Sequence, residues 1–377
     1  MTAPTPASAA ASADPTARAA AVVWERVPRA ASRLSTALGT VLADSAYLVR
    51  WPPVAVLAAP AAVLLGAVVG ALHWGAPNVY SSSAAVTVAL FAIAMVLGAG
   101  VGAWITAGYA LADFVLYQRP DVYTADLTAQ VGLRLGLLVS YAALFLLLAG
   151  VPLLASQARR RLLGRTGNVA LAAVGQVVVG GAFALAWSAA SPILLRSMWV
   201  WSGSSPPVTA IAPIQNNGPV FALVGGVAAI GRVTLSRLAP DPPFDPGPEL
   251  LDRLGPGPAR LVRAVLSAGL FTLLLAGLAD TWADLALLLA FMLAAALLRI
   301  VVLPRAAGYV RVVGRVPPLV RVAVTMALGL GVAYLLLSPV YEGAADVLSF
   351  RPLLLSMGIG MVIGAVLLPD VQPGTTS

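Results

Sequence analysis

Arg134, Gln176 and Arg232 are the side chains best placed to do chemistry, because each falls within a long apolar run, where a polar group costs free energy. An arginine at mid-bilayer costs about 2.5–3.5 kcal/mol, and less near a span end, where its aliphatic stem lets the charged head reach water. Arg134 lies one turn into its run, Gln176 lies well inside another, and Arg232 lies toward the end of a third. Asp113 follows the second run and could pair with Arg134 across neighbouring helices. A second polar group, Gln215, Asn216 and Asn217, closes the stretch 196–217, whose middle, Val208 to Ile214, is too short to span. That stretch reads either as an external loop or as a re-entrant segment whose amides face a cavity. These six residues form the expected substrate-binding set. Guanidinium and amide groups suit an anionic or lipidic ligand; the competing reading is contact with lipid headgroups.

The residue types that are missing narrow the chemistry further. Cysteine and lysine are both absent, His73 is the single histidine, and glutamate occurs only at Glu25, Glu249 and Glu342. Disulfides, thiolate or multi-histidine metal sites, a phosphate-binding lysine loop and a Schiff base are therefore excluded. No apolar run holds a central carboxylate, which argues against a cation-coupled carrier. The expectation is a non-enzyme without cofactor or metal. One rival arrangement is Asp113, Asp121 and Asp126 in one connection, which could hold a divalent cation beside a phosphate but suits a solvated loop equally well. His73, next to Trp74, reads as an interface residue or a pH-sensitive group.

The elements that must position these residues are long and apolar. Hydrophobic residues make up 60% of the 377 and charged residues 10%, with a mean hydropathy of +0.91. Soluble domains carry about 25% charged residues. Nine apolar segments run near 53–73, 84–111, 131–155, 168–195, 218–238, 261–279, 284–303, 319–338 and 352–368. Each approaches the roughly 20 helical residues that cross about 30 Å of hydrocarbon. The predicted fold class is all-α: a polytopic helical membrane protein with eight or nine transmembrane helices in residues 51–368. A disordered tail is expected over 1–23 and a short tail over 369–377. Residues 24–50 read as an amphipathic interfacial helix, with Leu34, Leu38, Val41 and Leu42 at helical spacing and Arg26, Arg29 and Arg33 upstream.

Arginine placement suggests an orientation. Fourteen of the 23 arginines lie in 156–167, 232–263 and 299–321, and these stretches alternate with arginine-poor connections. By the positive-inside rule the basic stretches and the C-terminus are cytoplasmic. The five arginines of the first 50 residues should be cytoplasmic as well, yet three apolar segments precede residue 156 and an even number of crossings is required. The segment 53–73, with Pro60 and Gly66, is the candidate for a break. The side of the N-terminus stays open.

Glycine pairs four apart (Gly66 and Gly70, Gly98 and Gly102, Gly132 and Gly136, Gly360 and Gly364) let helix backbones approach closely. The Pro-rich loop 239–258 reads as a stiff connector, and Pro304 to Pro317 as an interfacial helix. With a net charge of +8, the expected partners are a cytoplasmic membrane with anionic headgroups and other proteins in that membrane. Nucleic acid is not expected, because the arginines sit beside spans. The leading functional reading is a permease-like or membrane-anchoring subunit for a non-cationic or lipidic substrate. Its alternative is a non-transporting scaffold that positions other proteins.

Overall fold

The computed structural model describes residues 14–72, 80, 83–116, 127–200, 208–242, 244–341 and 351–368. His73, Trp74, Asp121, Asp126 and the stretches 1–13 and 369–377 lie outside the described residues. Among the described residues the regular structure is helical, without strands. Eight helices among the described residues are long and apolar enough to cross a membrane: Pro52–Ala71, Ala99–Leu116, Gln130–Thr166, Val169–Ser197, Gly218–Leu238, Pro256–Leu274, Trp282–Arg305 and Val320–Ser338. The chain is a multi-pass all-α membrane protein. Helices satisfy every backbone group internally, which is what hydrocarbon demands. The chain divides into two compact units, residues 1–250 and 251–377.

The first unit starts with three short helices: α1 (Pro15–Ala21), α2 (Val27–Leu34) and α3 (Thr36–Ala43). Helix α1 forms within the stretch expected to be disordered, because Asp14 caps it and Pro15 occupies its first position. Residues 24–50 are not one continuous interfacial helix. The chain breaks at Ser35 (φ −154°, ψ 122°), Gly39 packs back against Ser32, and residues 41–48 are buried in the unit. Trp24 is buried too, donating its Nε1–H to the Ala55 carbonyl at 2.8 Å.

Six apolar helical passes follow: α4 (Pro52–Ala71), α5 (Ala84–Leu97), α6 (Ala99–Leu116), α7 (Leu127–Phe145) continuing through a π turn into α8 (Val151–Thr166), α9 (Val169–Val200) and, after the short α10 (Val208–Asn216), α11 (Gly218–Leu238). Close contacts give their directions. Gly66 meets Ile105 and Gly70 meets Tyr109, so α4 and α6 are parallel. Tyr141 bonds Asp113 while Gly102 abuts Leu148, so α6 and α7–α8 are antiparallel. Gly180 lies at Gly225 and Gly218 at Ser188, so α9 and α11 are antiparallel. Helix α5 runs against α6: Tyr80 packs on the Tyr109 ring at one end, and Ser45 bridges Leu97 and Val101 at the other.

The expected segment 84–111 is thus two helices that reverse at Gly98, whose φ of +100° and ψ of 168° are open to glycine alone. Helix α4, by contrast, continues through Pro60 and Gly66. The break that chain parity requires is at Gly98, not in 53–73. Four passes precede residue 167, so residues 15–50, the α8–α9 turn and the end of α11 all lie at one end of this unit. Helix α5 has 14 residues and rises about 21 Å, short of a full span. Phe91, Ile105, Tyr109, Leu144, Trp187 and Phe221 fill the centre, while Leu57, Leu64 and Leu223 face outward, as lipid-facing residues do. Of the glycine pairs, Gly66 and Gly70 line one helix seam, whereas Gly98 and Gly102 serve separate purposes.

The second unit contains α12 (Pro256–Leu274), α13 (Trp282–Leu297, extended by tighter and looser turns to Arg305), α14 (Ala307–Gly314), α15 (Pro318–Tyr341) and α16 (Arg351–Leu367). Thr281 and Asp284 form a reciprocal capping box at the start of α13. Arg351 pairs with Asp284 at 3.2 Å and Phe291 packs at Gly358, so α13 and α16 are parallel. Thr325 of α15 packs at Gly364 of α16. Tyr309 of α14 donates to the Val366 carbonyl at 2.9 Å.

Candidate functional site

The reversal at Gly98 leaves the last carbonyls of α5 and the first N–H groups of α6 without helical partners. Residues 44–47 supply them. Asp44 Oδ2 accepts the Ala99 N–H at 3.0 Å, placing a carboxylate at the positive end of α6. Ser45 Oγ accepts from Val101 N at 3.2 Å and donates to the Leu97 carbonyl at 2.9 Å. The Tyr47 hydroxyl donates to the same carbonyl at 3.2 Å. Burial pushes the Tyr47 hydroxyl up to about 12, against the opposing pull of Arg232, so it stays a donor.

The second half of this knot is ionic. Asp44 Oδ1 accepts from Ser156 Oγ at 2.7 Å and Arg160 Nη2 at 2.9 Å. Arg232, 1% exposed, donates Nη2 to the Asp44 carbonyl and to Asp241 Oδ1, both at 2.7 Å, and its guanidinium lies 4.2 Å from the centre of the Tyr47 ring. Arg159 bonds Ser236 Oγ at 2.7 Å and reaches Asp241 Oδ2 at 3.5 Å. Arg160 Nη1 lies 3.5 Å from the same oxygen. Asp241 belongs to the Pro-rich connector, which is also tied down by Glu249: its carboxylate accepts from both the backbone N–H and the hydroxyl of Thr36.

Three guanidiniums share two carboxylates here, which leaves one positive charge in excess. The donors are not exhausted either. Arg232 Nε and Nη1 and Arg159 Nε are buried without a hydrogen-bond partner, and so is the acceptor Gln176 Oε1. Buried polar groups are nearly always paired, and an unpaired one carries a desolvation cost of about 1–3 kcal/mol, more if charged. These three unpaired donors and one unpaired acceptor lie on neighbouring helices, α8, α9 and α11, at the same end of the unit.

The six sequence candidates are divided by the fold. Arg232 and Gln176 lie toward the end where the knot sits. Gln215 and Asn216 are exposed at the end of α10, just before α11, 16 or more residues before Arg232 and so about 24 Å away at helical rise. Asn217 turns inward only to bond the Pro213 carbonyl at 2.6 Å, and Ser188 holds the Ile214 carbonyl at 2.7 Å. Arg134 is on that far side as well. It donates to the Phe114 carbonyl at 2.6 Å, stacks on the Phe114 ring at 4.7 Å, and lines a mostly apolar groove of about 280 Å³ with Leu127, Val131 and Leu138. Asp113 is fully buried and accepts from the Tyr141 hydroxyl. Among the described residues, no group of three histidine, cysteine or carboxylate side chains could hold a metal ion.

Asp44, Tyr47, Ser156, Arg159, Arg160 and Asp241 were not singled out as site residues by sequence. Asp44-Ser45 interrupting the run from Val41 to Val49 was the available signal; the arginines read only as a basic loop. Comparison with protein-family models, with curated proteins and with solved structures finds no match.

Proposed function

We propose that this chain is a non-catalytic membrane subunit that handles an anionic or lipidic ligand at its arginine-rich end and works with a protein partner. The observation that carries this reading is the arginine cluster with donors left over: buried Arg159 and Arg232 and half-exposed Arg160 against Asp44 and Asp241, a net charge of +1, with buried guanidinium N–H groups lacking a hydrogen-bond partner. Buried guanidinium donors are costly unless an acceptor pairs them. That the reading assigns no catalysis rests on composition, since lysine and cysteine are absent and histidine occurs once. The same arginine-rich end carries Arg26, Arg29, Arg33, Arg161, Arg165 and Arg237 on its surface, which supports a cytoplasmic placement by the positive-inside rule in a membrane with anionic headgroups.

The second reading, a scaffold, draws on the solid packing of Phe91, Phe221 and Trp187, whose rings lie 5.8–6.3 Å apart in sequence of contact and fill the centre of the first unit. Purification in mild detergent, followed by mass spectrometry of bound proteins and lipids, separates the two. A stoichiometric ATPase or enzyme together with an enriched anionic species supports the ligand-handling subunit. Assembly proteins alone, with lipids in their bulk proportions, overturn it in favour of the scaffold.

A further inference from the structure

We infer that Arg232, Arg159 and Gln176 bind one phosphate group of charge −1 that keeps a P–OH. This inference rests on the anionic-ligand reading above and names the chemistry of that ligand.

A shared partner and helix register place these side chains at one level of the bundle. Asp241 holds both arginines, Arg232 Nη2 on one carboxylate oxygen at 2.7 Å and Arg159 Nη2 on the other at 3.5 Å, so the two guanidiniums flank one small group. Gln176 is one turn before Gly180 on the same face of α9, and Gly180 lies against Ala155 and Gly225. Arg159 and Ala229 are one turn beyond those residues on helices antiparallel to α9, which puts Gln176 level with both. Helical side chains lean toward their helix N-terminus, so Arg232 of α11 reaches back to that level. Both Gln176 and Arg232 are 1% exposed. The guanidinium face of Arg232 is taken by the Tyr47 ring, and its unpaired Nε and Nη1 lie on the edge.

The ligand's chemistry follows from the unpaired atoms and the charge. Guanidinium N–H groups require acceptor oxygens, and Arg is the side chain best matched to phosphate. The unpaired Gln176 Oε1 requires a donor. A carboxylate anion brings acceptors only, and a phosphodiester has no proton to give. A singly protonated phosphomonoester brings acceptor oxygens, one P–OH for Gln176, and a charge of −1 equal and opposite to the net charge of the three arginines and two aspartates, half-exposed Arg160 included. Two sources share this chemistry: a lipid with a phosphomonoester headgroup, and inorganic phosphate. Exposed Leu34 and Leu238 beside Arg33 and Arg237 provide the apolar and basic surroundings that a lipid would meet.

The test uses the full chain in mild detergent, with thermal unfolding and direct binding measured against three probes. These are dioleoyl phosphatidic acid, dioleoyl phosphatidylglycerol as a phosphodiester of like sign, and inorganic phosphate. A ligand that binds only the folded state raises the unfolding midpoint. The expected result is that phosphatidic acid binds at least tenfold more tightly than phosphatidylglycerol, and that Gln176→Leu removes this preference. Arg232→Met is expected to abolish binding; should it fail to fold, Gln176→Leu carries the test, since an apolar side chain there leaves the ion pairs in place. Arg161→Gln, at the exposed surface, is expected to leave binding unchanged. Saturation by inorganic phosphate as well as by lipid assigns the site to the phosphate group alone; response to phosphatidic acid only assigns it to a headgroup. Equal binding of both lipids that persists in Gln176→Leu overturns the site while the anionic-ligand reading stands. No response to any of the three probes, with no anionic species co-purifying, overturns both.

Discussion

The Asp44 carboxylate accepts the Ala99 N–H at 3.0 Å across 55 residues of sequence, and this one bond links the N-terminal segment to the point where α5 turns back as α6. A helix N-terminus inside an apolar bundle needs an acceptor and favours a negative one. Asp44 meets both needs, and its second oxygen collects Ser156 and Arg160. The same residue therefore joins the reversal, the α8 helix and the ionic cluster.

Asp44→Asn is expected to lower stability by about 1–3 kcal/mol, since its NH₂ group must face a donor where a carboxylate oxygen accepted one. The half-exposed Arg160 contributes the smaller part of that loss. Thermal unfolding in detergent checks it. Asp44→Asn combined with Arg160→Gln should cost less than the sum of the single changes, as expected for contacting residues.

Gly98→Ala should be strongly destabilising. The backbone there has φ +100°, and an added Cβ would come within 2.8 Å of Ser45 Oγ. A non-glycine residue in such a conformation costs about 1–3 kcal/mol. Gly164→Ala is the matched control: it lies in α8 with nothing within 4 Å and should be neutral or stabilising by up to about 1 kcal/mol. Yield of monodisperse protein and the unfolding midpoint report both.

Tyr47 gives a signature at high pH. Its folded-state value is raised from 10 to about 12 by burial, so the stability it contributes is present below pH 10 and lost as pH rises toward 12. Wild type should exceed Tyr47→Phe near neutrality by about 1 kcal/mol, the value of the bond to Leu97. Between pH 10 and 12 this gap should shrink, as chemical unfolding of the two proteins in parallel would show.

Glu249→Ala should release the Pro-rich connector from α3. Thr36 loses the acceptor for its N–H and its hydroxyl, and limited proteolysis within 244–255 should accelerate severalfold with little change in global unfolding. An unchanged cleavage rate would show that the connector is held elsewhere.

The absence of native cysteine makes the pass directions directly testable. Single substitutions Arg33→Cys, Arg165→Cys and Asp245→Cys should be labelled by a membrane-impermeant thiol reagent from one side, and Asn216→Cys from the other. Arg33→Cys on the side opposite Arg165→Cys would refute the reversal at Gly98.

Composition and run length alone determined that this is a helical multi-pass membrane protein, because the free energy of placing backbone and side chains in hydrocarbon depends on local sequence. The basic end was legible for the same reason, as was the cost attached to Arg232 and Gln176. Only the tertiary structure decided where the chain turns. Over 84–111 the apolar pattern is unbroken, and Gly98 becomes a reversal through Asp44, Ser45 and Tyr47, which arrive from far along the chain. It likewise decided which arginines are structural and which hold donors in reserve. Arg232 bonds Asp44 across 188 residues, a pairing to which periodicity is blind because it arises from helix packing in three dimensions.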